Sequence, residues 1–442
     1  MISSGLSEFS NKRILMLQGP VGPFFARFAA DLRDAGAVVS KVNFNGGDWL
    51  FSRGEPFANV FNFSGHLTDW PAYLDDLLKR LQIETVFLFG DCRPVHEAAK
   101  NVIRESGARI GVFEEGYLRP DYITLEREGV NNNSSLPSDP GFYLRQLPQQ
   151  LPKAPSLGST YGQAAKWGML YFAAATLGRF KFLHYQHHRR LGFSDAPFWV
   201  VSFWRKHVYR QLEKTVLPTL SGAQTGNFFL MSLQTRGDAQ MSVHSRFESV
   251  DAFIEYVMQS FAENAPPQCL LAIKHHPLDR GYSDYTRLVQ KLTKQYQLTG
   301  RCHYIHDQHL PTLLAHARGV VVVNSTVGLS AVGEGVPVKV CGEAIYDIEG
   351  LTFQGPLGNF WHQAHEERPN PALYTAFRSY LITHTQHQGS FYKRLQDVSY
   401  KSGVLWSDHG LIASHSEGQT ARRAARKNDA PSEFGCTPTD KV

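Results

Sequence analysis

Four short segments gather side chains suited to acid–base and phosphate chemistry. In VFEEGYLRPDY (residues 112–122), Glu114 and Glu115 close an apolar run, and Gly116 permits a tight turn behind them. Adjacent side chains on an extended backbone point to opposite sides. One carboxylate of the pair is therefore expected to face a substrate as general acid or base, within hydrogen-bond reach of the hydroxyl it serves; the alternative is a solvated pair at a strand end. In SLQTRGDAQMSVHS (232–245), Gln234 closes an apolar strand. Asp238 follows in a glycine-containing loop, ahead of a helix expected from near Ser245. A carboxylate there could attack an anomeric carbon, as in retaining glycosidases, or simply cap the loop or helix.

The third segment, AIKHHPLDRGYSDY (272–285), sends Lys274, His275 and His276 out of a strand that Pro277 ends. Such a group can hold a leaving phosphate by charge and hydrogen bonds, and a histidine can give it a proton. The opposed directions of neighbouring histidines argue against a shared metal, and histidines merely satisfied at a strand end are the alternative. The fourth, VVVVNSTVGLSAVGEGVPV (320–338), runs a strand into Asn324, Ser325 and Thr326 before a helix expected from near Val327. Hydroxyls in front of a helix N-terminus make an anion site or a plain N-cap. Glycine turns accompany these segments. Gly19 and Gly22 follow the first strand in LQGPVGPFF, where a sugar or acceptor is expected to approach the backbone; they do not form a dinucleotide fingerprint. NFNGGD (43–48) and FGDCRP (89–94, with Asp91 and Arg93) are comparable loops. P-loop, HExxH, GxSxG and DxD motifs are all missing from the chain, which weakens phosphotransferase, metalloprotease and serine-hydrolase readings.

The elements that carry these loops follow from hydrophobic patterning. RILMLQ, AVVSKVNF, TVFLFGD and RIGVFEEG in the first third, then FFLMSLQ, CLLAIKHHP, CHYIHD, GVVVVNST and VPVKVCG from about residue 227, read as strands. Helix-length segments separate them. That rhythm predicts an α/β fold of two Rossmann-like domains with parallel sheets. Asp91, Glu114, Glu115, Gln234, His275, His276, Asn324 and Ser325 all follow directly on apolar runs. Open α/β sheets bind ligands beyond the carboxyl ends of their strands, so one shared cleft is expected.

The chain has 442 residues, 42% of them hydrophobic, enough for two cores. The formal net charge of +5 suits phosphates or an anionic lipid surface and is too weak to indicate nucleic acid. Five scattered cysteines read as reduced cytosolic thiols rather than disulfides or a zinc site. No signal peptide is expected, because MISSGLSEFSNKRILMLQG has no apolar region behind a basic start, and no membrane span, because the longest apolar stretch is about half of the roughly 20 residues a span needs. Between the halves, about 161–217 is helical, basic and aromatic, with RFKFLHYQHHRRL (179–191) and FWRKHVYR (203–210). It suits docking on an anionic leaflet, where each basic residue contributes roughly 1 kcal/mol, or a linker packed on the core with its basic side in water. Beyond about 402 the chain is polar and reads as a disordered tail.

LQGPVGPFF, NGGD, FGDCRP, FEEGYLRPDYITLE, GVNNNSSLP, KHHPLDRG, NST and YDIEGLTFQG, in this order and spacing, closely resemble the KpsS/LipB-type capsule polysaccharide proteins over about the first 400 residues. The resemblance implies a retaining β-Kdo transferase. It would use CMP-Kdo and start the oligo-Kdo linker on a (lyso)phosphatidylglycerol acceptor at the inner face of the cytoplasmic membrane. It implies a GT-B-like arrangement: an acceptor domain over 1–160, a helical connection over 161–220 and a CMP-sugar-binding domain over 221–370. A helical segment over 371–402 and a tail from 403 complete the expected division. Residue by residue, it makes Glu115, in Glu114-Glu115-Gly116, the favoured acid/base and Asp238 the nucleophile. His276-Pro277 matches the element that binds CMP, and Ser325-Thr326 the phosphate-binding element. Gln234, Lys274, His275 and Asn324 complete the expected donor site, and Gly19, Gly22, Asp91, Arg93 and Arg119 line the acceptor side. Arg236-Gly237 before Asp238 departs from the resemblance. No cofactor or metal is implied, and the implied partners are the two substrates, a companion Kdo transferase and a capsule ABC transporter. A non-catalytic member of a capsule export assembly, or a GT-B enzyme using another sugar nucleotide, stands as the alternative.

Overall fold

The computed structural model describes residues 4–54, 56–146, 156–185, 196–236, 245, 247–396 and 398–406. Asp238, residues 186–191 of the basic run and the tail beyond 406 lie outside the described residues.

Twelve strands among the described residues form two sheets. β1 (Arg13–Met16), β2 (Val38–Asn43), β3 (Asn59–Asn62), β4 (Thr85–Phe89), β5 (Arg109–Glu115) and β6 (Tyr122–Arg127) lie in the first half. β7 (Phe228–Ser232), β8 (Leu270–Lys274), β9 (Cys302–Ile305), β10 (Gly319–Val322) and β11 (Val338–Val340) lie in the second, and β12 (Gln386–Gln388) returns to the first. The sheet orders are β12-β6-β5-β4-β1-β2-β3 and β11-β10-β7-β8-β9. β1 to β5 are parallel, β6 and β12 run antiparallel to their neighbours, and the whole second sheet is parallel. Both halves are Rossmann-like, and the chain takes the two-sheet α/β form expected of it. Central strands such as β7 and β10 are buried along their full length, which is why they read as continuous Val, Leu and Phe runs.

In each sheet the order reverses beside the first strand: β1 lies between β2 and β4, and β7 between β8 and β10. Helices leaving adjacent strands to opposite faces open a crevice at such a point. Local signals set the helices around it. Ser249 accepts from Ala252 N to cap Val250–Asn264, and Asn370 caps Pro371–His384 with proline in the first turn. The helix expected from near Ser245 thus starts at Val250.

β3, β6 and β12 were not anticipated. β3 is an exposed edge with one polar residue at each end, and β12 is the polar tripeptide Gln-His-Gln, so neither has an apolar run. β6 is the return arm of a hairpin from β5, for which Gly116 is required: a Cβ there would lie 2.0 Å from Tyr122 O. The segment over 371–402 is also more than a helix. After Pro371–His384 the chain crosses back as β12, and Phe391, Val404 and Trp406 bury themselves on the aromatic face of the first sheet. Leu405 N donates to Gln388 O at 2.9 Å, and Asp31 receives the backbone N–H groups of Lys401 (2.5 Å) and Ser402 (2.9 Å). Within residues 403–406, expected to belong to the polar tail, Val404 and Trp406 are instead part of the first core.

The connecting stretch divides between the halves. Tyr161–Leu177 packs on the first half so tightly that a Cβ at Gly46 would lie 2.1 Å from Ala174 O. Ala196–Leu212 packs on the second half. No helix among the described residues is long and apolar enough to cross a membrane.

Candidate active site at two switch points

At the first crevice, Arg93 spans from β4 to β1. Its Nη1 donates to Gln18 Oε1 (2.9 Å) and to Gly19 O (3.1 Å), and its guanidinium lies over the Phe89 ring. Gln18 Nε2 donates to Tyr185 Oη (2.7 Å) and Asp48 Oδ2 (3.2 Å), while Tyr171 Oη donates to Asp48 Oδ1 at 2.9 Å. Two tyrosines of the connecting stretch thus close the inner end of the crevice. Lys41 lies beneath, donating to Leu17 O and Val42 O; burial pushes its amine down to about 8, opposed by Asp48. Gly19 and Gly22 do not offer open backbone. The Phe25 ring covers Gly19, and Trp167 stands 3.1 Å from where a Gly22 Cβ would be, at a φ of +112°. Asp91 is buried and saturated, pairing with Lys100 (2.8 Å) and accepting from Asn133 Nδ2 (2.8 Å). Arg119 Nε donates to Gly116 O.

Glu114 and Glu115 take opposite faces of β5. Glu115 Oε1 accepts from Tyr392 Oη at 2.7 Å, on the side of the returning C-terminal segment. Glu114 leans toward β4: a methyl group on Gly90 would lie 3.7 Å from its Oε2 and 3.6 Å from Arg93 Nε. Its Oε1 accepts from Glu115 N at 2.9 Å. Burial pushes the Glu114 carboxyl up to about 7; the neighbouring Glu115 and Asp91 add to this, and the Glu115 N–H and Arg93 oppose it. A carboxyl poised near neutrality can accept a proton from a substrate hydroxyl and return it.

The second crevice is built by β7, β8 and β10. Gln234 Nε2 donates to Asn324 Oδ1 at 2.7 Å, tying the ends of β7 and β10 together. Ser325 Oγ accepts from Val327 N at 3.3 Å, so it does cap the helix Thr326–Gly333, and the Ser325 carbonyl accepts from Tyr346 Oη. Thr326 opens that helix, partly exposed beside Asn324. At the end of β8, Lys274 is buried, and burial lowers its pKa against the pull of Asp307 and Glu213. His275 is buried with Nδ1 2.6 Å from Tyr304 Oη; burial, then the neighbouring His306, hold it down to about 3. His276 turns the other way and is partly exposed, its Nδ1 accepting from Leu278 N at 3.2 Å beside the exposed Pro277. The two halves meet near these strand ends: Asn132, next to the Asp91 partner Asn133, donates to Glu343 beyond β11.

Of the expected residues, the structure gathers Gln234, Lys274, His275, His276, Asn324 and Ser325 at the carboxyl end of the second sheet, and Glu114 and Arg93 at that of the first. Several participants carried no sequence signal: Gln18, Tyr171, Tyr185 and Tyr392 act through contacts across the fold. Glu213, His306 and Asp307 had a faint one, as a lone acid in a basic stretch and the polar end of CHYIHD.

A sequence profile described as capsule polysaccharide biosynthesis protein matches residues 84–392, from β4 to the Tyr392 that holds Glu115. The capsule polysaccharide export protein KpsS of Escherichia coli is 40% identical over 384 residues, covering 87% of this chain and 97% of that protein. The capsule polysaccharide modification protein LipB of Neisseria meningitidis serogroup B is 39% identical over 393 residues, covering 87% and 93%. Among solved structures, Thermosulfurimonas dismutans KpsC, a beta Kdo 2,7 transferase, aligns at 15% identity with a TM-score of 0.37, covering 76% of this chain and 86% of that one. With about 40% identity to relatives that it covers almost completely, and a family match over most of its length, the chain belongs to the capsule polysaccharide biosynthesis protein family.

Proposed function

We propose that the protein is a retaining glycosyltransferase that moves Kdo from CMP-Kdo to a phosphatidylglycerol-type lipid, starting the linker of a capsular polysaccharide. The observation that carries this reading is the second crevice. A helix N-terminus capped by Ser325, the Gln234–Asn324 bridge and the Lys274-His275-His276 group converge on one strand-end site suited to a nucleotide phosphate. Kdo and the lipid acceptor rest on the family resemblance, and the capsule-related names of the relatives agree with it.

In this reading Asp238 forms a bond to the anomeric carbon as the bond to the CMP phosphate breaks. The leaving electron pair goes to the phosphate, whose charge His276 and the Ser325–Thr326 helix end stabilise. The acceptor hydroxyl then gives its proton to Glu114, its oxygen bonds to the anomeric carbon, and Asp238 leaves with net retention. The acid/base role moves from Glu115 to its neighbour because Glu115 is held by Tyr392 while Glu114 is the carboxyl poised near neutrality. Protein donors serve the leaving phosphate, so the reaction needs no divalent metal. Purified protein incubated with CMP-Kdo and lysophosphatidylglycerol in excess EDTA should form a Kdo-lipid, with UDP-sugars as the competing donors. Asp238→Asn should lower turnover at least ~10³-fold while CMP affinity stays within about twofold. Normal turnover in that variant removes Asp238 as nucleophile, and transfer from a UDP-sugar alone removes the Kdo reading.

The acceptor places the enzyme at the inner face of the cytoplasmic membrane. Phe203 and Trp204 are 68% and 63% exposed, with Lys206 and Arg210 exposed on the same helix and Lys214 just beyond it, a composition suited to an anionic interface. Phosphatidylglycerol vesicles should float the protein at low salt and lose it when Phe203 and Trp204 are both replaced by serine; equal flotation of the variant rules this surface out.

A further inference from the structure

The helix Ala196–Leu212 and the turn after it grip the loops that follow β8 and β9. Arg205 donates to the carbonyls of Arg280 (2.8 Å) and Ser283 (3.2 Å) and pairs with Asp284 (3.3 Å). Arg280 returns a bond from Nε to Ser202 O (2.9 Å) and pairs with Asp307. Trp199 Nε1 donates to Tyr282 Oη (3.1 Å), and the Phe198 ring stacks on Tyr282 at 5.1 Å. The Phe198 carbonyl presses on Gly281, where a Cβ would lie 2.1 Å away, so this seat requires glycine.

One residue past the helix, buried Glu213 takes three bonds from the end of β9. Its carboxylate accepts from His306 N (3.0 Å), His306 Nδ1 (2.5 Å) and Gln308 Nε2 (3.0 Å). Tyr209 stacks on the His306 ring at 3.5 Å, and the same ring meets Tyr304 edge-on at 4.6 Å and lies 5.3 Å from His275. Tyr304 Oη accepts from Tyr285 N (3.3 Å) and lies 2.6 Å from His275 Nδ1, to which its own proton can go. A neutral His275 whose Nδ1 accepts must carry its proton on Nε2, as a donor. Glu213 is thus bonded to His306, His306 is packed on Tyr304, and Tyr304 is hydrogen-bonded to His275 at the end of β8.

We propose that Glu213 is a positioning residue of the donor site: through His306 and Tyr304 it fixes the orientation and tautomer of His275, and so the affinity for the nucleotide phosphate. The proposal rests on the reading of the second crevice as the donor site. The Glu213 charge acts in the same direction on Lys274, where it opposes the effect of burial on the ammonium. Glutamine at 213 keeps the size but removes the charge and cannot accept from all three donors. Phenylalanine at 304 keeps the ring against His306 and removes the hydroxyl that bonds His275 and accepts from Tyr285 N.

The test is calorimetric binding of CMP to the full chain, with initial rates on both substrates. Glu213→Gln and Tyr304→Phe should each raise the CMP Kd and the donor KM about tenfold, with the acceptor KM within about twofold of wild type. Because they act in one chain, the double variant should be no weaker than the worse single by more than about twofold. Unchanged CMP affinity in both single variants, a fully multiplicative double variant, or a parallel rise of both KM values with a falling thermal midpoint would each overturn the proposal. Wild-type protein that fails to bind CMP instead overturns the donor-site reading, and the proposal with it.

Discussion

Glu114→Gln should lower kcat by about 10²–10³-fold, the range for removal of a positioned acid/base, while Glu115→Gln should cost no more than about tenfold. The difference follows from what each carboxylate touches. Glu115 is engaged by Tyr392 on one face of β5, and Glu114 lies over Gly90 beside Arg93 at the crevice. As a base Glu114 acts ionised, so kcat/KM in the wild type should rise with pH through about 7, where its carboxyl is held by burial. Stability changes in the opposite direction. A carboxyl whose folded pKa lies above its ordinary value binds its proton more tightly in the folded state, so its contribution is present at low pH. That contribution is lost as pH rises from the ordinary carboxylate range through about 7. Glutamine titrates nowhere, so the variant should match wild type at pH 4.5 and exceed it at pH 8 by on the order of 2 kcal/mol after allowance for partial solvent screening. Thermal midpoints at the two pH values check the stability, and pH–rate profiles check the role. A larger kcat loss in Glu115→Gln would return the acid/base to that residue.

Trp406→Ala and Phe391→Ala should each destabilise the first half by about 3–5 kcal/mol, the usual cost of truncating a buried large aromatic. Both are essentially buried in the aromatic face of the first sheet. Phe391 meets Phe24 edge-on at 4.8 Å and Phe89 at 5.1 Å, and Trp406 lies 4.8 Å from Phe28 and 6.2 Å from Phe113. With two cores in the chain, a single transition is not assured. In urea the transition of the first half should move to lower denaturant while that of the second stays. Coincident movement of both would mean that the halves unfold as one unit. Phe391→Ala should also reduce activity beyond its effect on stability, because the next residue is the Tyr392 that holds Glu115.

Legibility in the sequence followed burial. Nine of the strands were readable because parallel strands covered on both faces need unbroken apolar runs; β7 as Phe-Phe-Leu-Met-Ser and β10 as Gly-Val-Val-Val are such cases. The polar residues ending those runs, Glu114, Gln234, His275 and Asn324, could be found for the same reason, since a strand end is marked by the first residue that cannot be buried cheaply. β12 could not be read, because its three residues are polar and join the sheet through pairing with Tyr122–Thr124, far away in the chain. Tyr171, Tyr185 and Tyr392 were hidden in the same way. A tyrosine in an aromatic stretch carries no mark of the distant carboxylate or amide to which its hydroxyl will bond. The choice between Glu114 and Glu115 needed coordinates too, because alternation puts them on opposite faces without saying which face opens on the crevice.

The return of β12 to the first sheet bears on how the chain is made. Gln386 donates to Thr124 Oγ1 across a sequence separation of 262 residues. At roughly 5–20 residues per second on a ribosome, β6 waits on the order of 13–50 s before its neighbour in the sheet exists. During that interval the second half, whose five strands are contiguous in sequence, can complete itself, whereas the first stands with an unpaired edge and an uncovered aromatic face. The domain synthesised first is therefore the one that finishes folding last, and its nascent form is the state of this protein most in need of a chaperone.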